Sequence, residues 1–260
     1  GVAAIAAIYA GMLLYVQGYW RDEIALFWRC TAVVPDAAFF HNRLAMALEG
    51  RGDLSRARDE FNLAAKLDPA NGWNLYDLSL VDLGLGDKRG AEQAMAGGLE
   101  KFKNPPAGAY TELAIVADAA GDKTGMENAL KRAAALPGGA ELAALTRAQI
   151  QFAHGDKAGS EKALRELLKH DPGNPDLHSA LGAVLGSQGR NEEALAEFGR
   201  AAAIAPNLRS LHFQTATILH NLHRDREASA ECREALQANP NDHDAQALMA
   251  ELDRTASPTP

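Results

Sequence analysis

Residues 175–208 read PDLHSALGAVLGSQGRNEEALAEFGRAAAIAPNL, and the order of residue types in this stretch decides the fold. Leu181, Gly182 and Leu185 lead to Gly189, and Ala194, Phe198 and Ala201 lead to Pro206. The stretch reads as two helices. A glycine between them can take the positive φ that ends the first, and polar residues then open the second. Proline closes the unit because it cannot continue a helix.

The same punctuation recurs along the chain. Gly-Asp-Lys occurs at Gly86-Asp87-Lys88, Gly121-Asp122-Lys123 and Gly155-Asp156-Lys157; Gly52 lies 34 residues before the first and Gly189 lies 34 after the third. Pro35 and Pro69 are 34 apart, as are Pro172, Pro206 and Pro240, while 103 residues separate Pro69 from Pro172. That distance holds three repeats and one inserted residue, which falls near Asn104-Pro105-Pro106. A fixed period of this length marks a stack of helix pairs, each unable to bury its apolar face alone.

Composition agrees. The 260 residues are 47% hydrophobic but only 6% aromatic, a mixture in which abundant Ala and Leu favour helix. A formal charge of -8 argues against nucleic acid, whose phosphates require a basic stripe. The 2 cysteines, Cys30 and Cys232, form no CxxC pattern, so neither a zinc site nor a disulfide framework is expected.

The spacing resembles the tetratricopeptide repeat, in which a hydrophobe and a small residue mark helix A, and Ala, a large hydrophobe, Ala and Pro mark helix B. Besides 175–208, the copy at 38–71 carries Leu44, Ala45, Leu48, Gly52, Ala57, Phe61, Ala64 and Pro69. The copy at 209–242 carries Ala216, Leu219, Ala228, Cys232, Ala235 and Pro240, with His223 in place of the glycine. The middle copies, 72–103, 107–139 and 141–174, drift from the pattern. The resemblance implies an all-α solenoid of about six to seven helix-turn-helix repeats forming a right-handed superhelix. The expected organisation is an apolar helix at 1–18, a partial or first repeat at 19–37, six repeats over 38–242, a capping helix at 243–254 and a disordered tail at 255–260. The short side chains of Ala45, Ala57, Gly182 and Ala194 are expected where helices A and B approach closely. Phe61 and Phe198 are expected to fill the space between neighbouring repeats.

In this family helix A lines a groove that binds polypeptide. Carried onto this chain, the groove positions are Asn42, Arg43 and Met46, then Trp73, Tyr76, Asp77 and Leu80. Further along they are Thr111, Glu112, Gln149, Phe152, Ser179, Phe213, Gln214 and His220. Trp73 and Tyr76 are expected beside Asn42 and Arg43, as an aromatic and cationic patch able to anchor a peptide; alternatively Trp73 simply covers the next repeat. No lysine occupies these positions, which disfavours the carboxylate clamp of chaperone-binding repeats.

Residues 1–17 carry no charge, and Tyr19, Trp20 and Arg21 follow in the aromatic-then-basic order of a membrane boundary. At 1.5 Å per residue this run would make a helix of ~26 Å, close to the thickness of a hydrocarbon core. Membrane contact through residues 1–20 is therefore expected, with the repeats facing an aqueous compartment such as the periplasm. The alternative is a cytoplasmic chain whose first repeat begins in this run. The first residue is Gly rather than Met, and the expectation is a fragment or processed product. The junction from Trp20 to Trp28 also resembles that of multi-spanning membrane proteins with C-terminal repeats, such as transmembrane O-mannosyltransferase-like proteins. That resemblance implies a substrate-selecting tail of a membrane enzyme; a docked subunit of a membrane assembly is a further alternative.

No catalytic, cofactor or metal site is expected. His41, His178 and His212 share one place in their repeats, which reads as packing rather than ligation. Gly84 to Gly90 lacks the Gly-Lys-Ser/Thr ending and the preceding strand of a phosphate loop. The function expected is a protein-interaction scaffold and not an enzyme.

Overall fold

In a computed structural model, residues 22–206, 208 and 210–256 are described. They form fourteen helices and, among the described residues, no strand. The chain divides into two compact units, residues 1–139 and 140–260. The first contains α1 (Glu23–Val33), α2 (Ala38–Gly50), α3 (Leu54–Leu67), α4 (Gly72–Gly84), α5 (Lys88–Leu99), α6 (Ala107–Ala120) and α7 (Lys123–Ala134). The second is built of α8 (Gly139–Ala153), α9 (Lys157–His170), α10 (Pro175–Ser187), α11 (Asn191–Ile204), α12 (Ser210–Asn221), α13 (Asp225–Ala238) and α14 (His243–Ala256).

From α2 onward the even-numbered helices up to α12 take the A place and the odd-numbered ones the B place. In four of these pairs the turn between them is the Gly-Asp motif; Gly189-Arg190 and His223-Arg224 take its place in the last two. Gly86 sits at φ +80°, and the Asp87 carboxylate accepts from the Gly90 N–H, capping α5. Asp53, Asp122 and Asp156 cap α3, α7 and α9 in the same way. Each capping bond satisfies a donor that the helix itself leaves open. In the last full pair His223 holds the turn at φ +57°, a conformation costly for a residue with a Cβ.

The closing prolines act on the residue before them. Asp68, Asp171 and Ala205 precede Pro69, Pro172 and Pro206 with φ near −130° and ψ of 79–82°. A following proline pushes its predecessor out of the helical region. Each of the three still donates its N–H to the carbonyl four residues back, so the helix ends without an orphaned donor.

Small and large residues alternate through the cores as the sequence predicts. Ala45, Ala57, Phe61, Ala64 and Ala194 are completely buried. In the first unit Phe61 shares a cluster with Leu44 and Leu48 of its own pair and Leu78 and Val81 of the next. In the second, Phe198 packs among Leu181, Leu185, Leu211 and Ile218. A Cβ on Gly182 would stand 2.5 Å from the Phe198 ring, so glycine sets that helix-to-helix distance. Cys232 occupies the equivalent aromatic place in α13, fully buried with Ala216, Ala228 and Leu252.

At the N-terminal end α1 leans Ile24 and Phe27 on the first core, while Trp28, Val33 and Val34 are exposed. The apolar segment expected at 1–18 lies outside the described residues. Among those that are described, no helix is long and apolar enough to cross a membrane. At the other end α14 runs to Ala256, two residues past the expected limit and into the segment expected to be disordered. Assigned helix ends ordinarily vary by that much. The remainder of the expected tail, 257–260, is outside the described residues.

Candidate functional site

The A-helix positions fall into separate groups. In α2 and α4 the Asn42 amide donates to Asn74 Oδ1 at 3.2 Å and to Asp77 Oδ2 at 3.1 Å. Asn74, itself buried, donates onward to the Ala64 carbonyl. Burial pushes the Asp77 carboxyl above its ordinary range, against the opposing bond from Asn42. Burial and the nearby Asp77 push Glu49 up likewise. Arg43 lies in its own helix with its guanidinium 5.5 Å from the Phe39 ring centre, and its Nη1 approaches Met46 Sδ at 3.9 Å. Met46 and Leu80 are exposed.

Trp73 and Tyr76 turn toward the following pair rather than toward Arg43. The Trp73 ring meets Phe102 edge-on at 4.8 Å and 65°, and Tyr76 at 5.6 Å and 74°. The Tyr76 hydroxyl donates to the Glu112 carboxylate of α6. Burial, this bond and the charges of Glu112 and Asp77 together push the phenol up to about 12. These side chains, with Asn104, Pro106, Gly108 and Ala109, line a cavity of about 290 Å³. The expected aromatic and cationic patch is thus an aromatic and anionic one. The reason is reach: Arg43 finds a π face one turn away in α2, leaving carboxylates as the charged groups beside the aromatic pair. Trp73 covers the neighbouring loop and yet keeps 58% of its surface exposed. Thr111, the neighbour of Glu112, is buried and bonds the Gly108 carbonyl.

In the second unit Phe213 and Gln214 line another cavity, of about 310 Å³, with Ala183, Ser187, Thr217 and Asn221, over a floor of Phe198 and Ile218. Ser179 reaches Gln214 at 3.4 Å. Phe152 packs against the core there, whereas Gln149 is exposed. His220 is held by carboxylates, Nδ1 at 2.8 Å from Asp225 and Nε2 at 3.8 Å from Glu251.

Three other histidines have a shared partner that sequence reading missed. His41, His178 and His212 reach Glu60, Glu197 and Glu231 across their own helix pairs. The visible signal was the constant separation of 19 residues. Among the described residues no group of three His, Cys, Asp or Glu side chains is placed to hold a metal ion. Phe102 and Pro106 were also missed, because they lie in the loop where the repeat spacing is interrupted.

Comparison with known proteins gives the class. Residues 145–208 match the tetratricopeptide repeat family model. The structure is similar to a tetratricopeptide repeat protein from Parabacteroides merdae, with a TM-score of 0.68 and 15% identity, covering 97% of this chain and 100% of that one. It is also similar to yeast Tom70, with a TM-score of 0.68 and 15% identity, over 89% of this chain and 50% of that one. At such identities the likeness speaks for the fold. The protein is a tandem helical-repeat protein whose fold is similar to that of tetratricopeptide repeat proteins, with residues 145–208 matching the family model. In sequence it is similar to an uncharacterized protein, y4yS, of Sinorhizobium fredii, being 39% identical over 109 residues, which are 42% of this chain. The match spans 59% of that curated relative.

Proposed function

We propose that this chain is a protein-interaction scaffold that captures a partner polypeptide on its A-helix surface, with the cavity under Trp73 as an anchor point. One observation carries the reading: a tryptophan left 58% exposed although three aromatic side chains are gathered at its site. Pre-placed aromatics of this kind supply contact area with little ordering cost, and such residues dominate binding at interfaces. The polar neighbours Asn42 and Asp77 would fix the register of the bound segment. Attachment at a membrane edge through residues 1–18 belongs to the same reading, supported by the absence of charge from residues 1–17.

The test is to identify a partner by affinity capture from the native source, then measure its affinity for purified wild-type chain and for Trp73→Ala/Tyr76→Ala. The expected loss is about 10-fold or more, since hot-spot truncations cost roughly 2 kcal/mol. Unchanged affinity with unchanged helicity would remove the anchor from these residues. Comparing detergent-free partitioning of the full chain with that of a chain lacking residues 1–18 tests the attachment.

A further inference from the structure

The cavity in the first unit has a chemical signature more specific than an apolar anchor. Its walls are three rings, Trp73, Tyr76 and Phe102, set at 65° and 74° about Trp73 rather than stacked. Pro106 and Asn104 complete the rim. The charged group lining it is the carboxylate of Glu112, and no basic side chain lines it; Lys101 and Lys103, on either side of Phe102, are exposed and take no part. A carboxylate offers about four acceptor positions, and the Tyr76 hydroxyl uses one while holding the group in place. Asp77 adds a second negative charge close enough to act on the Tyr76 phenol. Aromatic faces carry negative potential and attract cations, most strongly when water is displaced.

We infer that this aromatic and carboxylate cavity is a receptor for the cationic side chain of a lysine or arginine in the bound polypeptide. The inference rests on the binding reading above and gives it a ligand class. Charge decides between occupants. A leucine or phenylalanine side chain would cover the Glu112 carboxylate with the Tyr76 hydroxyl as its partner and no opposite charge, which is costly. An acidic side chain would be repelled by Glu112 and Asp77, on a chain whose formal charge is already -8. A cation meets both the rings and the carboxylate. A volume of about 290 Å³ admits one long side chain and no folded element.

The probes are Nα-acetyl-arginine amide and Nα-acetyl-lysine amide. The neutral Nα-acetyl-norleucine amide serves as isostere, and tetramethylammonium stands for a lipid headgroup cation. Binding to the full chain is read from the NMR shift of the Trp73 indole N–H, assigned with Trp73→Phe. Saturable shifts by the arginine and lysine probes are expected, with norleucine about 10-fold weaker. Glu112→Gln should weaken the cationic probes by a similar factor without weakening norleucine. Equal binding of norleucine, or indifference to Glu112→Gln, overturns the cation assignment while leaving the anchor reading intact. Preference for tetramethylammonium over both side-chain probes also overturns it, in favour of a lipid headgroup. Absence of any shift overturns it as well; failure of the anchor reading itself is registered separately, by undiminished partner affinity in Trp73→Ala/Tyr76→Ala.

Discussion

His178 Nδ1 stands 2.6 Å from Glu197 Oε2, and the other ring nitrogen reaches the Pro172 carbonyl at 3.0 Å. His41 repeats this geometry with Glu60 at 2.6 Å and Pro35 at 2.9 Å. Each ring ties helix A to helix B and to the proline that ends the previous unit. Removing the His178 ring leaves Arg200 as the partner of Glu197 and takes the ring N–H away from the Pro172 carbonyl. His178→Ala should therefore cost about 1–3 kcal/mol. His212→Ala should cost less, because its side chain and that of Glu231 are 33% and 34% exposed. Urea midpoints of the two variants check the order.

One contact along the stack is mismatched. Arg58 reaches Asp87 at 2.6 Å and Arg190 reaches Glu161 at 2.6 Å, both joining a B helix to the next turn with opposite charges. In the corresponding place Glu92 meets Asp122, a like-charge pair. Burial and the hydrogen bond and charge of Asp122 push Glu92 up, while the Gly125 N–H holds Asp122 down. A carboxyl raised in the folded state contributes its stability below the ordinary carboxylate range and loses it as pH climbs through the raised value. Glu92→Arg should raise Tm at neutral pH, and Glu92→Gln should flatten the dependence of Tm on pH from the ordinary carboxylate range upward. Thermal melts across that range decide it.

His223 does a glycine's work at φ +57°. His223→Gly should stabilise the chain by about 1 kcal/mol, since the left-handed region costs residues with a Cβ roughly that much. Gly86→Ala, at φ +80°, should destabilise by a comparable amount. Opposite shifts in denaturation midpoint are the expected result.

At Gly182 two effects compete. Alanine gains up to about 1 kcal/mol of helix propensity, but its Cβ would lie 2.5 Å from Phe198 Cε1. The ring is buried in a close-packed core, so overpacking wins and Gly182→Ala should lose about 1–3 kcal/mol net of strain. Adding Phe198→Leu should recover part of the loss, visible as a coupling in a double-mutant cycle.

The fold was legible because its signals are backbone requirements. A positive φ at Gly52 or Gly189, a capping Asp at 53 or 87, and a proline that bars a further helical turn leave their mark on single positions at a fixed spacing. The candidate site was legible only in part. Trp73 and Tyr76 fell on one expected A helix and Glu112 on the next, but their meeting with Phe102 depends on a loop that departs from the period. Arg43 misled for another reason: a long side chain chooses among neighbours by reach, and Phe39 was one turn away. The His–Glu pairs show the middle case, with a constant spacing present in the sequence but meaningful only once two helices are laid side by side.

Cys232 lies where other repeats place phenylalanine, sealed beneath Leu252 of α14, and burial keeps its thiol less acidic than usual. A thiolate must form and meet solvent before an alkylating reagent can add to it. In a Cys30→Ser background, the labelling rate of Cys232 consequently reports how often the terminal helices lift away. The chain thus carries a built-in gauge of fraying at its C-terminal end, readable by mass without any fluorophore or tag.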